Sequence, residues 1–286
     1  MQSFSIGSLA LISGGLPVTG YTLMQPVDGL EGPPHRTNSF SRPGRHGAIV
    51  SSQYYDGRLI TLTGTVSGID YATYLSNRKA LIAATNIDLD SNDYPIATRI
   101  SFTMLDGNSY YMDVFFDKPT MELTDPTRAD FQLTGIAPNP MIFGASQQVS
   151  SAISPPSGGG YIVSMIAPYI SGAATGGSTV INNAGSETAW PVITLTGPLT
   201  NPVLTNTTTG EVLQLSPYTI GSGNVVRIDM DAHTITLNGA SLIATKTATS
   251  DWWGLIPGNN NVSVTSTSSS DTGTAVFTYY SPYTGV

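Results

Sequence analysis

From Pro191 onward the chain is written as short alternating apolar runs separated by turn signals, and that spacing predicts a β-sandwich or jelly-roll. Pro191-Val-Ile-Thr-Leu-Thr-Gly alternates and stops at Gly197-Pro198. Pro202-Val-Leu-Thr-Asn and Glu211-Val-Leu-Gln-Leu flank Thr207-Thr-Thr-Gly, which predicts a hairpin. Val225-Val-Arg-Ile-Asp-Met and Thr234-Ile-Thr-Leu-Asn-Gly flank Asp231-Ala-His and predict a second. Asn261-Val-Ser-Val-Thr-Ser and Thr274-Ala-Val-Phe-Thr-Tyr-Tyr supply two more strands. Successive side chains of a strand face opposite ways, so the apolar half of each run needs a second sheet to cover it. Between Gly158–Gly160 and Gly172–Gly177 strand signals are sparse, and the first strand of this domain is left unplaced.

A Gly/Ser/Pro-rich stretch at 145–160 reads as a linker, because small and polar residues without an apolar period cannot build a core. It divides the chain into residues 1–144 and 161–286. The first part reads as α+β with strands dominant. Arg58-Leu-Ile-Thr-Leu-Thr-Gly-Thr-Val predicts a strand, as do Ala97–Leu105, Ser109–Asp117 and Arg128–Ile136. Asp106-Gly between the second and third predicts a tight hairpin turn. Tyr71, Tyr74, Leu75, Arg78, Leu81 and Ile82 recur at helical spacing, with Asp70 as the N-cap.

Ahead of these elements, residues 29–52 read as a long irregular loop, a length that in a compact domain marks function or disorder. Four of the 11 basic residues, Arg36, Arg42, Arg45 and Arg58, fall between 36 and 58. One reading is a solvated loop. The other is an arm that clasps an acidic neighbouring subunit, with these arginines and Tyr55 as its interface residues.

Charge narrows the function classes. The net charge is −8, with 9 Lys and Arg against 13 Asp and Glu in residues 1–150, and 2 against 6 thereafter. An acidic chain without a basic stripe lacks the phosphate-neutralising surface that drives nucleic-acid binding. Charged residues are only 10 % of the chain, against about 25 % in ordinary domains, a composition common among proteins packed in large assemblies. There is no cysteine, which excludes disulfides, thiolate metal sites and a cysteine nucleophile. No apolar run approaches the roughly 20 residues of a membrane span, and Met1-Gln-Ser-Phe-Ser-Ile lacks a signal-peptide pattern. The expectation is a protein without a membrane anchor.

Catalytic signals are weak. There is no Gly-x-Ser-x-Gly elbow and no His-Glu-x-x-His pattern. Gly158-Gly-Gly160 is followed by Tyr161, not by the Gly-Lys-Ser/Thr of a phosphate loop. Asp88-Leu-Asp-Ser-Asn-Asp opens like a calcium loop, but Asp93 stands where Gly is needed and Arg99 where Glu belongs. A polar turn is the simpler reading. His35 and His46 share one loop without a pattern that orients them on a metal, and His233 sits at a predicted turn apex. Asp229 and Asp231 form the one acidic pair on a strand, and turn capping accounts for them better than glycoside hydrolysis. No catalytic, cofactor or metal residue is assigned. Trp252 and Trp253 are adjacent, so on a strand one faces outward, where an aromatic ring could meet a sugar or a partner protein.

Four blocks carry a family resemblance. They are Trp190-Pro-Val-Ile-Thr-Leu-Thr-Gly, Asn201-Pro-Val-Leu-Thr-Asn-Thr-Thr-Thr-Gly-Glu, Ile228-Asp-Met-Asp-Ala-His-Thr-Ile-Thr-Leu-Asn-Gly and Ser250-Asp-Trp-Trp-Gly-Leu-Ile-Pro-Gly-Asn-Asn-Asn. In this order they resemble the C-terminal domain of siphophage distal tail proteins (Dit, the siphovirus-type tail component). Tyr55-Asp-Gly-Arg-Leu-Ile-Thr-Leu-Thr-Gly-Thr-Val with its following helix is similar to that family's ring-forming domain. The resemblance runs from about residue 29 to the C-terminus. It implies a ring-forming α+β domain followed by a galectin-like β-sandwich, in a homohexamer at the tail tip of the virion, put together in the host cytoplasm. Its implied partners are the tail tube protein, the tail-tip hub protein and a receptor-binding protein or side fibre, with genomic DNA passing through the lumen without specific binding. The alternative is a carbohydrate-binding module of a host-adsorption apparatus, acting through Trp252 or Trp253. A glycan-degrading enzyme has little support.

Overall fold

The structure, a computed structural model, describes residues 3–13, 19–156 and 177–286. It divides into two compact units, Met1–Ser146 with Tyr283–Val286, and Gln147–Pro282. No helix among the described residues is long and apolar enough to cross a membrane.

The first unit is a β-barrel. Strand Ser3–Ile6 pairs with Leu9–Ser13 and with Thr98–Thr103, and the latter pairs with Ser109–Phe116. Leu9–Ser13 runs parallel to Gly20–Leu23, which pairs with Arg58–Ser67, and that strand pairs along its whole length with Arg128–Ala137. Contacts Phe115↔Ile136 and Phe116↔Gly135 then join the two ends, closing a seven-stranded ring among the described residues. Closure removes the open edges that would otherwise invite aggregation. Phe4, Ile6, Ile60, Leu62, Ile100, Phe102, Val114 and Leu133 fill the core.

The three N-terminal strands, Ser3–Ile6, Leu9–Ser13 and Gly20–Leu23, have no counterpart in the sequence expectation. They are four or five residues long, too short to show a clear period. The helix Tyr71–Ala84 starts where predicted, and the Asp70 side chain accepts the Thr73 N–H at 2.7 Å. It buries only Tyr74 and Leu81 fully, while Tyr71 stays exposed.

The two long strands Arg58–Ser67 and Arg128–Ala137 carry glycines, Gly64 and Gly135, where neighbouring chain presses close. A Cβ at Gly64 would lie 2.1 Å from the Thr22 carbonyl oxygen and 2.6 Å from Phe131 Cζ. Backbone cannot retreat from that overlap as a side chain can. Gly64→Ala is therefore expected to destabilise the barrel by about 2 kcal/mol or more, read as a fall in the midpoint of thermal unfolding. An unchanged midpoint would show that this strand crossing has slack.

The second unit is a sandwich. One sheet has Gln148–Val149, Thr274–Tyr279, Val192–Thr196, Val225–Asp229, Thr234–Leu237 and Ala240–Ser241 in that spatial order. The facing sheet runs Ser178–Asn183, Gly258–Thr265, Val203–Asn206, Glu211–Gln214. Both expected hairpins form, with registers Asn206↔Glu211 and Asp229↔Thr234. The strand left unplaced by sequence is Ser178–Asn183, paired with Gly258–Thr265. Trp253, Phe277, Ile193, Leu195, Leu204 and Val264 meet between the sheets, all at most 1 % exposed.

The stretch read as a linker is corrected in part. Gln148–Val149 is an edge strand against Thr278 and Tyr279, and buried Ile153 bridges Ala275. Ser150 explains how so polar a segment pairs. Its N–H donates to the Phe277 carbonyl at 2.8 Å, and its hydroxyl accepts the Phe277 N–H at 3.0 Å. Residues 147–156 thus belong to the sandwich, while Gly158–Gly160 and Gly172–Gly176 lie outside the described residues.

Candidate assembly surface

The segment expected to be an irregular loop is a β-hairpin. His35–Ser41 pairs with Ala48–Tyr55 from His35↔Tyr55 to Ser41↔Ala48, with a bulge between Thr37 and Ser39. The Asp56 N–H closes the base on the Pro34 carbonyl at 2.8 Å. At the tip, Arg42-Pro-Gly-Arg-His-Gly turns the chain with Gly44 and Gly47 at φ 69° and 99°. The sequence does hold the signal, since Ala48-Ile-Val-Ser-Ser-Gln-Tyr-Tyr is rich in β-formers and follows a Pro-Gly turn. It lacks alternation because this ribbon has no buried face. Every residue of both strands is exposed, including Phe40 at 64 %, Ile49 at 52 % and Tyr54 at 60 %.

Arg36, Arg42 and Arg45 all project from this ribbon into solvent. Tyr55 stands at its base with its ring 5.3 Å from that of His35. Arg58 does not belong with them. It is 1 % exposed, and its guanidinium donates to the carbonyls of Pro140, Gly29, Glu31 and Thr284. Burial pulls its pKa below the ordinary arginine value. Arg58 begins a strand that faces inward, and its five-donor fork can bind four carbonyls converging from three chain segments.

A second small ribbon stands apart from the barrel, Asp88–Leu89 against Pro95–Ile96. Its turn is the acidic run that opens like a calcium loop. Asp90 Oδ1 accepts the N–H of Tyr94 at 2.9 Å and of Asn92 at 2.7 Å, which holds its carboxyl below the usual range. Asp93 takes the left-handed conformation at φ 63°, which Asp tolerates better than most residues. Asp90 thus acts as a turn former, and among the described residues no cluster of His, Asp and Glu could hold a metal. Ile87, Leu89, Tyr94 and Ile96 are all exposed around it. Beside this ribbon opens a hollow of about 220 Å³ lined by Ile87, Ile96, Val114 and Phe116.

In the second unit the tryptophans occupy unlike places. Trp253 is fully buried and stacks on Phe277 at 6.0 Å, so it is corrected from a binding candidate to a core residue. Trp252 is partly exposed, but its ring stacks on His233 at 4.9 Å and carries the Lys246 ammonium 5.6 Å from its centroid. Neither lies on a strand. The segment between Asp251 and Pro257 is held by three buried amides gripping consecutive carbonyls. Asn206 donates to Gly254 at 3.1 Å, Asn183 to Leu255 at 2.9 Å and Asn260 to Ile256 at 2.8 Å. Asp229 accepts the Ala232 N–H at 3.0 Å and pairs with Arg227 at 3.3 Å, a turn cap. Asp271 is buried, which by itself raises its pKa; bonds from the Ser266 hydroxyl and the Thr200 N–H outweigh that and leave it lowered.

Comparisons with known proteins agree with both units. Residues 184–282 match the siphovirus-type tail component, C-terminal domain, and residues 19–100 match the phage tail protein RIFT-related domain. The chain is similar to the crystal structure of the SPP1 Dit (gp 19.1) protein, described as a paradigm of the hub adsorption apparatus in phages infecting Gram-positive bacteria. That match has TM-score 0.67 at 16 % identity and covers 97 % of this chain and 98 % of the other. It is also similar to a chain of the phage p2 baseplate in its activated, strontium-bound conformation, with TM-score 0.52 at 10 % identity, covering 99 % of each. No curated protein sequence matches it.

Proposed function

The chain belongs to the distal tail protein family of siphophages and is a structural protein of the phage tail, and from that premise we propose that it is a hexameric ring adaptor joining the tail tube to the tail-tip hub. The first unit forms the ring, and the sandwich holds a receptor-binding protein or side fibre. The observation that carries this reading is the hairpin His35–Tyr55, a ribbon with all its strand residues exposed and an apolar set among them. A two-stranded ribbon is marginal alone in water. It makes sense as a piece of an interface whose other half lies on another copy.

The overall acidity supports passage of DNA through the lumen, because a channel of the same sign as the phosphates offers no sites for adhesion. For the sandwich, protein docking fits better than sugar stacking, since the Trp252 ring is already in contact with His233. Cryo-EM of intact tails tests the whole reading. Six copies around the tail axis, first units innermost, are the expected result. A copy number other than six, or a position off the axis, would overturn it.

A further inference from the structure

Both ribbons of the first unit stand outside the barrel as separate two-stranded sheets. Each is exposed throughout, and each mixes apolar side chains with charge of one sign. Between Glu31 and Asp56 the chain has no carboxylate, but it has Arg36, Arg42 and Arg45. Between Lys79 and Arg99 it has no Lys or Arg, but it has Asp88, Asp90 and Asp93. Phe40, Ile49, Val50 and Tyr54 accompany the arginines; Ile87, at 81 % exposed, Leu89, Tyr94 and Ile96 accompany the aspartates. Exposed apolar groups gathered like this mark contact surfaces.

We propose that the basic ribbon His35–Tyr55 of one copy seats on the acidic ribbon at residues 86–96 of the next copy. The inference rests on the ring reading above and names its interface. Charge decides the geometry. A two-fold pairing through either ribbon alone would put arginines against arginines or aspartates against aspartates, which costs free energy. Unlike pairing is heterologous: each copy gives one ribbon and receives one, and where the rotation between copies closes, as the ring reading requires, no valence is left over. Reach allows it, since an eight-residue strand at about 3.3 Å per residue extends roughly 26 Å. The apolar side chains supply the burial, with the hollow beside Ile96 as a seat, and the guanidinium forks select the register against carboxylates.

The absence of native cysteine makes the test direct. Val50→Cys and Ile96→Cys in one chain, treated with a short bis-maleimide, should give a denaturant-resistant ladder up to the full ring. Either cysteine alone should give none. An internal cross-link confined to monomers would show the ribbon folding onto its own chain, and would overturn the inference.

Charge reversal is the second arm. Arg36→Glu, Arg42→Glu and Arg45→Glu together should lower the ring population about tenfold. Asp88→Lys with Asp93→Asn, which only neutralises the acidic ribbon, should lower it less. All five together should recover part of the loss of the triple variant, because its glutamates then face a neutral ribbon and not three carboxylates. Asp90 is left alone because it builds its own turn. Circular dichroism checks that every variant is folded. Rings that survive both sets of charge changes would remove the ribbon contact and leave the ring reading intact. A wild-type chain that forms no ring on the tail would remove the ring reading itself.

Discussion

Arg58→Met should lower the stability of the first unit by about 4 kcal/mol, the largest single-residue effect expected in the barrel. Methionine keeps the aliphatic stem but removes every donor. The carbonyls of Gly29, Glu31, Pro140 and Thr284 then lose a charged partner in a site that is 1 % exposed to solvent. A hydrogen bond from a charged group contributes about 1.5–3 kcal/mol, and four sharing one guanidinium are not additive, so the sum is capped well below its face value. For a unit of this size the loss corresponds to a fall of about 10 °C in melting temperature. Arg58→Lys should fall between, because an ammonium has three donors and no fork with which to reach four carbonyls.

Calorimetry on the full chain checks this, since only the transition of the barrel should move. A shift below about 2 °C would mean that water replaces the guanidinium at little cost. The same residue ties the C-terminus into the first unit, because Thr284 is reached from Arg58 while Tyr283 packs edge-on against Tyr110 at 5.4 Å. Deleting residues 283–286 should therefore reproduce part of the loss.

Arg58 also shows where sequence reading reaches its limit. Charged residues are seldom fully buried, so an arginine beside three others in a polar segment reads as surface. Only the convergence of segments around residues 29, 140 and 284 makes it a core residue, and no local pattern encodes that. The opposite holds for the sandwich. Its alternating runs and two hairpins are legible because each strand buries one face, and burial is what writes the period into the sequence. Where no face is buried, as in His35–Tyr55, there is no period, and the ribbon reads as a loop despite its β-formers. Asp70 was legible as a cap because its partner Thr73 is three residues away. Trp252 and Trp253 make the subtler case. One does reach the surface and the other the core, but not by strand alternation, since both lie on an irregular segment. That segment is shaped by asparagines 183, 206 and 260, which only the fold brings together.

Those asparagines carry the second large effect: Asn260→Leu should cost the sandwich about 3 kcal/mol. The side chain is fully buried and saturated. It donates to the Ile256 carbonyl at 2.8 Å and the Gly258 carbonyl at 3.1 Å, and it accepts from the Ile256 N–H at 3.0 Å and from the Asn206 amide at 3.3 Å. Leucine keeps the branched skeleton of heavy atoms, but its methyls are bulkier than the amide oxygen and nitrogen, so the cost joins the polar groups left unpaired to some overpacking. The loss should have a local signature as well as a global one. With Ile256 released, the grip on Gly254 and Leu255 loosens, and Trp253 is drawn from its seat against Phe277. Its emission should shift to the red before the unit unfolds. Asn206→Leu should behave alike, and the double variant should cost less than the two single losses combined, because the two amides bond each other. Strict additivity would break the idea of one connected network and leave two independent side-chain caps.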